Sequence, residues 1–204
     1  MTDSPLAERR AGGRRGGKRE RLIGAALDLL HRQGVARTSL AQVAEAADVP
    51  LGNVYYYFKT KDDLVRAVID AHAERVRATF AAYRAAHPDP RDRLKAFAAQ
   101  IGASGGYAAR HGCPMGSLCS ELDKREDGGL DQESATLMTL GVDWVREQFQ
   151  LLGHSAEDAG DLAVTFISVF QGASLLSNTF RDPGLMSRQA AFLTRWIDDQ
   201  ARAG

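Results

Sequence analysis

From Leu22 onward the apolar residues of this chain recur at spacings of three and four, and no useful length alternates with period two. That periodicity constrains the fold most. A helix gathers such residues on one stripe, whereas a strand would scatter them over both faces. Leu22, Ile23, Ala26, Leu27 and Leu30 form the first stripe, running from Lys18 and ending before Gly34. A second helix begins at Thr38-Ser39, where either hydroxyl can cap it and Ser39-x-x-Gln42 has capping-box spacing. Leu40, Val43, Ala44 and Ala47 form its inner face, and Asp48-Val49-Pro50 interrupts it before a short third helix over 51–58. Beyond Lys61 the chain reads as longer helices. Breaks are expected at Pro88 and Pro90, at His111-Gly112-Cys113-Pro114, at Asp127-Gly128-Gly129, before Ser155 and at Asp182-Pro183-Gly184. The expected fold is all-α.

Composition narrows the classes. At 204 residues and 44% apolar content, the chain can bury a real core in one domain, or in a small one joined to a medium one. No run of about 18 consecutive apolar residues occurs, so no membrane span is expected. The N-terminal charges precede no apolar core, so no secretory signal is expected either, and a cytoplasmic protein follows. Cys113 and Cys119 are too few for a disulfide framework or a four-ligand zinc site, and no metal or cofactor is expected.

The formal net charge is zero but unevenly spread. Residues 1–61 carry eleven Lys/Arg against six Asp/Glu, and residues 62–204 carry fifteen against twenty. A basic front and an acidic body point to two functional regions. Residues 1–17, with Arg pairs among Gly pairs, read as a disordered basic arm.

Two short helices joined by a tight turn, behind a supporting helix, make a helix-turn-helix arrangement. The second short helix must bury one side and offer the other to the major groove. Val54 and Phe58, four apart, suit the core; Gly52, Asn53, Tyr55 and Tyr56 suit the groove. Glycine permits close backbone approach, an asparagine amide can read a base edge, and tyrosine offers its hydroxyl to phosphate. Lys59 and Lys61 flank the unit, and Thr38 and Ser39 open the preceding helix, whose N–H groups suit a phosphate. The competing reading of Tyr55-Tyr56-Tyr57-Phe58 is an aromatic core cluster, with Phe58 and at least one tyrosine buried.

Residues 38–64, TSLAQVAEAADVPLGNVYYYFKTKDDL, resemble the DNA-binding signature of the TetR family of bacterial transcriptional repressors. Thr38, Val43-Ala44, Ala47, Val49, Gly52, Tyr55, Phe58, Lys61 and Leu64 carry the match. The resemblance implies a three-helix DNA-binding domain over 18–63, and a larger helical effector-binding and dimerisation domain over 64–204. It also implies a homodimer on a palindromic operator, released by a small hydrophobic effector. Asp48 departs from the pattern where glycine is common, Pro50 replaces the usual hydroxyl cap, and Leu51 replaces a frequent cation. The recognition helix is therefore less basic than usual, which moves electrostatic load onto Arg9, Arg10, Arg14 and Arg15.

In the acidic part, Phe166, Val169, Ala173, Leu176 and Phe180 share one helix face. With Phe192, Leu193 and Trp196 they are the expected dimer interface, where the resemblance implies a four-helix bundle. Residues 110–122, RHGCPMGSLCSEL, and the GASLL stretch at 172–176 resemble the LmrA/YxaF-type drug-responsive subgroup. The expected effector pocket is Phe97, Ile101, Tyr107, Cys113, Met115, Leu118, Trp144 and Phe170, mostly apolar. Cys113, before Pro114 near a helix N-terminus, or Cys119 could instead make a redox- or electrophile-sensing repressor, although free cysteine is usually a small buried hydrophobe. An enzyme on a helical scaffold is the competing class. The five histidines form no HExxH, nucleophile elbow or phosphate loop, and no catalytic residue is expected. A non-repressing architectural DNA binder is the third reading.

Overall fold

The computed structural model describes residues 17–125 and 129–203, which form ten helices and no strand. The expected basic arm, apart from Gly17, and Asp127-Gly128 of the expected loop lie outside the described residues.

Helix α1 spans Lys18–Arg37, but Gly34, at φ 83°, breaks its regular geometry and leaves Val35–Arg37 as a separate turn. The periodic stripe therefore ends where the sequence reading placed its end. Helix α2 spans Leu40–Ala46 and α3 spans Leu51–Tyr57. Between them Asp48 takes a left-handed φ of 51°, which explains why glycine is common at this place in the resembling pattern. Helix α4 (Lys61–Ala86) opens with a reciprocal cap between Thr60 and Asp63 that the sequence reading passed over, although Thr-x-x-Asp is close to the familiar spacing.

The rest of the chain is α5 (Pro90–Ala103), α6 (Gly105–His111), α7 (Pro114–Leu122), α8 (Leu130–Leu151), α9 (Ala156–Phe180) and α10 (Gly184–Ala203). Asp89, Cys113 and Ser155 cap α5, α7 and α9, and proline fills the first position of α5 and α7, where a missing N–H costs nothing.

Two hydrophobic cores result. The first joins Leu22, Leu30, Val43, Val54 and Phe58 of the N-terminal helices to Leu64 and Val68 of α4. It also takes in Leu118 and Leu122 of α7 and Leu130 and Leu137 of α8. The expected boundary at residue 63/64 therefore cuts through a continuous core. The second core is aromatic, with Phe80, Trp144, Phe149 and Phe166 at its centre, and α5 and α10 packed along it.

Helix α9 bears on the expectation that no membrane span occurs. It is long and apolar enough, by length and composition, to cross a bilayer, although no uninterrupted apolar run marks it. Its Ala159, Ala163, Phe166 and Ala173 are buried in the second core, while Val164, Leu175, Leu176 and Phe180 remain exposed.

Candidate nucleic-acid interface

The geometry of α2 and α3 follows from short-range bonds. Ser39 Oγ accepts from Gln42 N at 3.2 Å, and Gln42 Oε1 accepts from Ser39 N at 2.9 Å, closing the expected capping box. Thr38 was expected at a DNA-facing position and is not there. It is buried, and its hydroxyl donates to the Gly34 carbonyl at 2.7 Å, tying the end of α1 to the start of α2.

On α3, Val54 and Phe58 are buried as the four-residue spacing requires. The aromatic-cluster reading needed one buried tyrosine as well, and the structure buries none: Tyr55, Tyr56 and Tyr57 are 49%, 75% and 37% exposed. Three consecutive rings cannot all follow Val54 and Phe58 inward on a helix, so the tyrosines take the outer arc. Tyr56 and Tyr57 meet edge to face at 5.0 Å. A Cβ added at exposed Gly52 would meet nothing within 4 Å, so no intramolecular contact demands glycine there. Asn53 is half-buried beside it. Pro50 supplies no side-chain cap to α3.

The flanking cations are tethered loosely. Lys59 Nζ donates to the Tyr55 carbonyl at 3.0 Å, and Lys61 Nζ to the Ala36 carbonyl at 3.4 Å, both in exposed settings. The Arg19 guanidinium lies 5.7 Å from the centre of the Phe58 ring. Gly52, Asn53, Tyr55, Tyr56, Lys59 and Lys61 thus share one exposed end of the molecule with the start of α2.

The expected effector residues divide between the two cores and the surface. Phe97, Ile101, Trp144 and Phe170 belong to the aromatic core, where the Trp144 ring stacks on Phe80 at 4.3 Å and 6°. Phe97 packs against Phe80, Trp144, Phe166 and Phe170. Met115 and Leu118 pack instead with the first core, and Cys113 is the buried cap of α7. Tyr107 is exposed, its hydroxyl 2.6 Å from His31 Nδ1 across the junction between α1 and α6. Helical periodicity marks which residues are buried and says nothing of what they are buried against.

The dimer residues divide as well. Phe166, Ala173 and Leu193 are buried in the core of the chain itself, out of reach of a partner. Leu176, Phe180 and Phe192 are exposed, whereas Val169 and Trp196 are half-buried, Trp196 edge-on to Phe149 at 5.6 Å.

An open groove of about 440 Å³ lies elsewhere, between α7 and α8. Gly116, Cys119, Ser120 and Asp123 line it from the α7 side, Asp131, Ser134, Ala135 and Met138 from α8, and Gln171 from α9. Burial pushes the Cys119 thiol up, away from reactivity, and its S–H lies 3.2 Å from the Ser134 carbonyl.

The opposite side of α7 grips the N-terminal unit. Glu121 accepts from Val35 N at 2.8 Å and Ala36 N at 2.7 Å, just after the Gly34 break. A Cβ on Gly34 would come within 2.8 Å of that carboxylate. Arg125 and Asp62 pair at 3.0 Å through two bonds, and the guanidinium holds the Asp62 carboxyl below its usual range. Sequence reasoning missed Glu121, because its partners lie 85 and 86 residues away.

Comparison with known proteins agrees with this geometry. Residues 22–68 match the family model described as bacterial regulatory proteins, tetR family. An uncharacterized HTH-type transcriptional regulator in the dhlA 5′ region of Xanthobacter autotrophicus is 31% identical over 118 residues, covering 57% of this chain and 55% of that protein. The HTH-type transcriptional regulator LmrA of Bacillus subtilis is 24% identical over 169 residues, 82% of this chain and 89% of LmrA. The chain spans only about a quarter to two thirds of the length of the first curated relatives it matches. A TetR transcriptional regulator from Legionella pneumophila has the same fold, with TM-score 0.80 at 20% identity over 89% of this chain and 98% of that one.

Proposed function

Because the chain belongs to the TetR family of bacterial regulatory proteins, we propose that it is a ligand-responsive transcriptional repressor acting as a homodimer on a palindromic operator. One observation carries this reading. The helix-turn-helix unit turns Gly52, Asn53, Tyr55 and Tyr56 outward while Val54 and Phe58 anchor α3 from behind. Such a helix can enter a major groove, with the lysines and the start of α2 on the flanking phosphates.

One short helix reads few base pairs, so two copies about 34–36 Å apart would read a symmetric site. The exposed Leu175, Leu176 and Phe180 of α9, with Phe192 of α10, form an apolar face suited to pairing with itself. Residues 18–63 would carry DNA contact, and 64–204 dimerisation and effector binding. An effector releases DNA by favouring a conformation with the wrong spacing of the two α3 helices. Its differential affinity for the two conformations sets how far occupancy shifts.

The test is selection of duplex DNA from a random pool by the full chain, followed by footprinting. A two-fold-symmetric site is expected, and Tyr55→Ala and Lys61→Ala should each weaken it at least about tenfold, on the order of a lost base-edge or phosphate contact. Melting temperatures should stay unchanged. Enrichment of no sequence, or normal binding by both variants, would overturn the reading.

A further inference from the structure

We propose that the groove between α7 and α8 is the effector site, that it takes a small organic cation with an apolar body, and that α7 transmits its occupancy to the DNA-facing unit through Glu121. The proposal rests on the reading of the chain as an effector-released regulator and adds the ligand's place and chemistry.

The groove has the size of a small-molecule site, about 440 Å³. Among the described residues its walls contribute two carboxylates, Asp123 and Asp131, and no Lys, Arg or His. Neither carboxylate forms an ion pair among the described residues, although nearby acids do: Asp62 holds Arg125 and Glu133 holds Arg66. Asp123 also follows the C-terminal end of α7, whose carbonyls add negative potential on the same side. Asp131 lies across the groove in the first turn of α8.

Between the charges the wall is soft. Ala135 and Met138 offer apolar surface, and the amide nitrogen of Gln171 reaches only sulfur, 3.7 Å from both Cys113 Sγ and Met138 Sδ. A sulfur atom is a weak acceptor, so that N–H₂ can also serve a ligand's oxygen. An anion would meet two carboxylates, and a purely apolar molecule would leave both without a counter-charge.

The two sides of α7 link the groove to the DNA-facing unit. One side bears Gly116, Cys119 and Ser120 on the groove; the other bears Leu118 and Leu122 in the first core and Glu121 on the Val35 and Ala36 amides. A helix of nine residues moves as one body, so a ligand that shifts α7 must move the acceptor that fixes the turn before α2.

The test is calorimetric titration of the full chain with benzyltrimethylammonium, with phenylmethanesulfonate as the anionic counterpart. The cation is expected to bind at one site, more weakly as salt rises, and the anion not at all. Asp123→Asn and Asp131→Asn should each weaken it roughly fivefold, the scale of a solvent-screened charge pair. Ala135→Trp, at an exposed helix position, should block the groove without loss of folding. Cation binding should change amide exchange at Val35 and Ala36.

Equal binding of the anion, no binding of the cation, or full affinity in all three variants would overturn the site. Unchanged exchange at those two amides would overturn the transmission through Glu121. None of these readouts requires DNA. A selected operator with no cation binding would remove the groove alone, and cation binding without any selected operator would remove the repressor reading alone.

Discussion

The helix-turn-helix and the aromatic core are built from the same apolar periodicity and differ in the reach of the contacts that shape them. Around α2 and α3 the defining bonds join near neighbours: Ser39 with Gln42, Thr38 with Gly34, the Phe58 amide with the Val54 carbonyl. The aromatic core instead draws Phe80, Phe97, Trp144 and Phe166 from four different helices. A unit closed locally can keep its outer face free to read DNA, whereas one closed at long range can be repacked by what binds within it. The largest test of this contrast is a pair of truncations. Phe58→Ala and Trp144→Ala should each cost about 3–5 kcal/mol, the usual range for a buried aromatic. Hydrogen exchange should show α1–α3 loosened in the first and α8–α9 in the second. Uniform loss of protection in both would mean that the two cores open as one, and the contrast would fail.

The bridge between the regions gives the next effect. Glu121→Ala removes the acceptor of two backbone N–H groups, one exposed enough for water to replace it, so a loss of about 1–2 kcal/mol is expected. Glu121→Gln keeps one acceptor oxygen and should lose less. If denaturation midpoints of both variants match the parent, the bridge consists of Leu118 and Leu122 packing alone.

A pH-dependent effect belongs to the first core's flank. Burial pushes His72, on α4, down to about 4 from its ordinary 6.5, with Arg75 and His31 adding to the shift. The unfolded chain therefore takes up this proton first. The contribution is fully favourable above about pH 6.5, is lost as pH falls toward 4, and levels off below. Urea midpoints at pH 7 and pH 5 should differ in the parent and converge in His72→Phe. An equal slope in that variant would assign the pH dependence to His31 and His111, whose values burial also lowers.

Legibility in the sequence follows the same division. The helices, the Ser39 cap, the Asp48 turn and the inward pair Val54 and Phe58 were readable because each depends on residues within about four positions. Phe97, Trp144 and Phe170 were readable as apolar helix positions, but that the Phe97 ring meets the other two depends on how α5, α8 and α9 pack. Phe166 and Leu193 were misplaced at a partner for a related reason. A helix apolar around most of its surface must be covered on several sides, and spacing does not say which side its own subunit covers. The bonds of Glu121 left no local signal, and of the groove only Gly116, Cys119 and Ser120 fell in a stretch that the resemblance marked.

The smallest effect sharpens the local half of the contrast at one backbone angle. Asp48 holds φ at 51°, a region where a side chain with a Cβ is strained and glycine is not. Asp48→Gly should relieve that strain and offset it partly by loosening the unfolded chain, leaving a net gain of about 0.5 kcal/mol. Asp48→Val, β-branched, should lose about 1–2 kcal/mol by the same argument. Both should leave α8–α10 exchange unaltered, since the Ala44 carbonyl and Val49 amide that close this turn at 3.0 Å lie five residues apart and entirely within the first core's segment. A Val variant as stable as the parent would show that the turn is set by the packing of Val49 and Ala47 beneath it rather than by the backbone preference of residue 48, and this turn would then join the long-range half of the molecule.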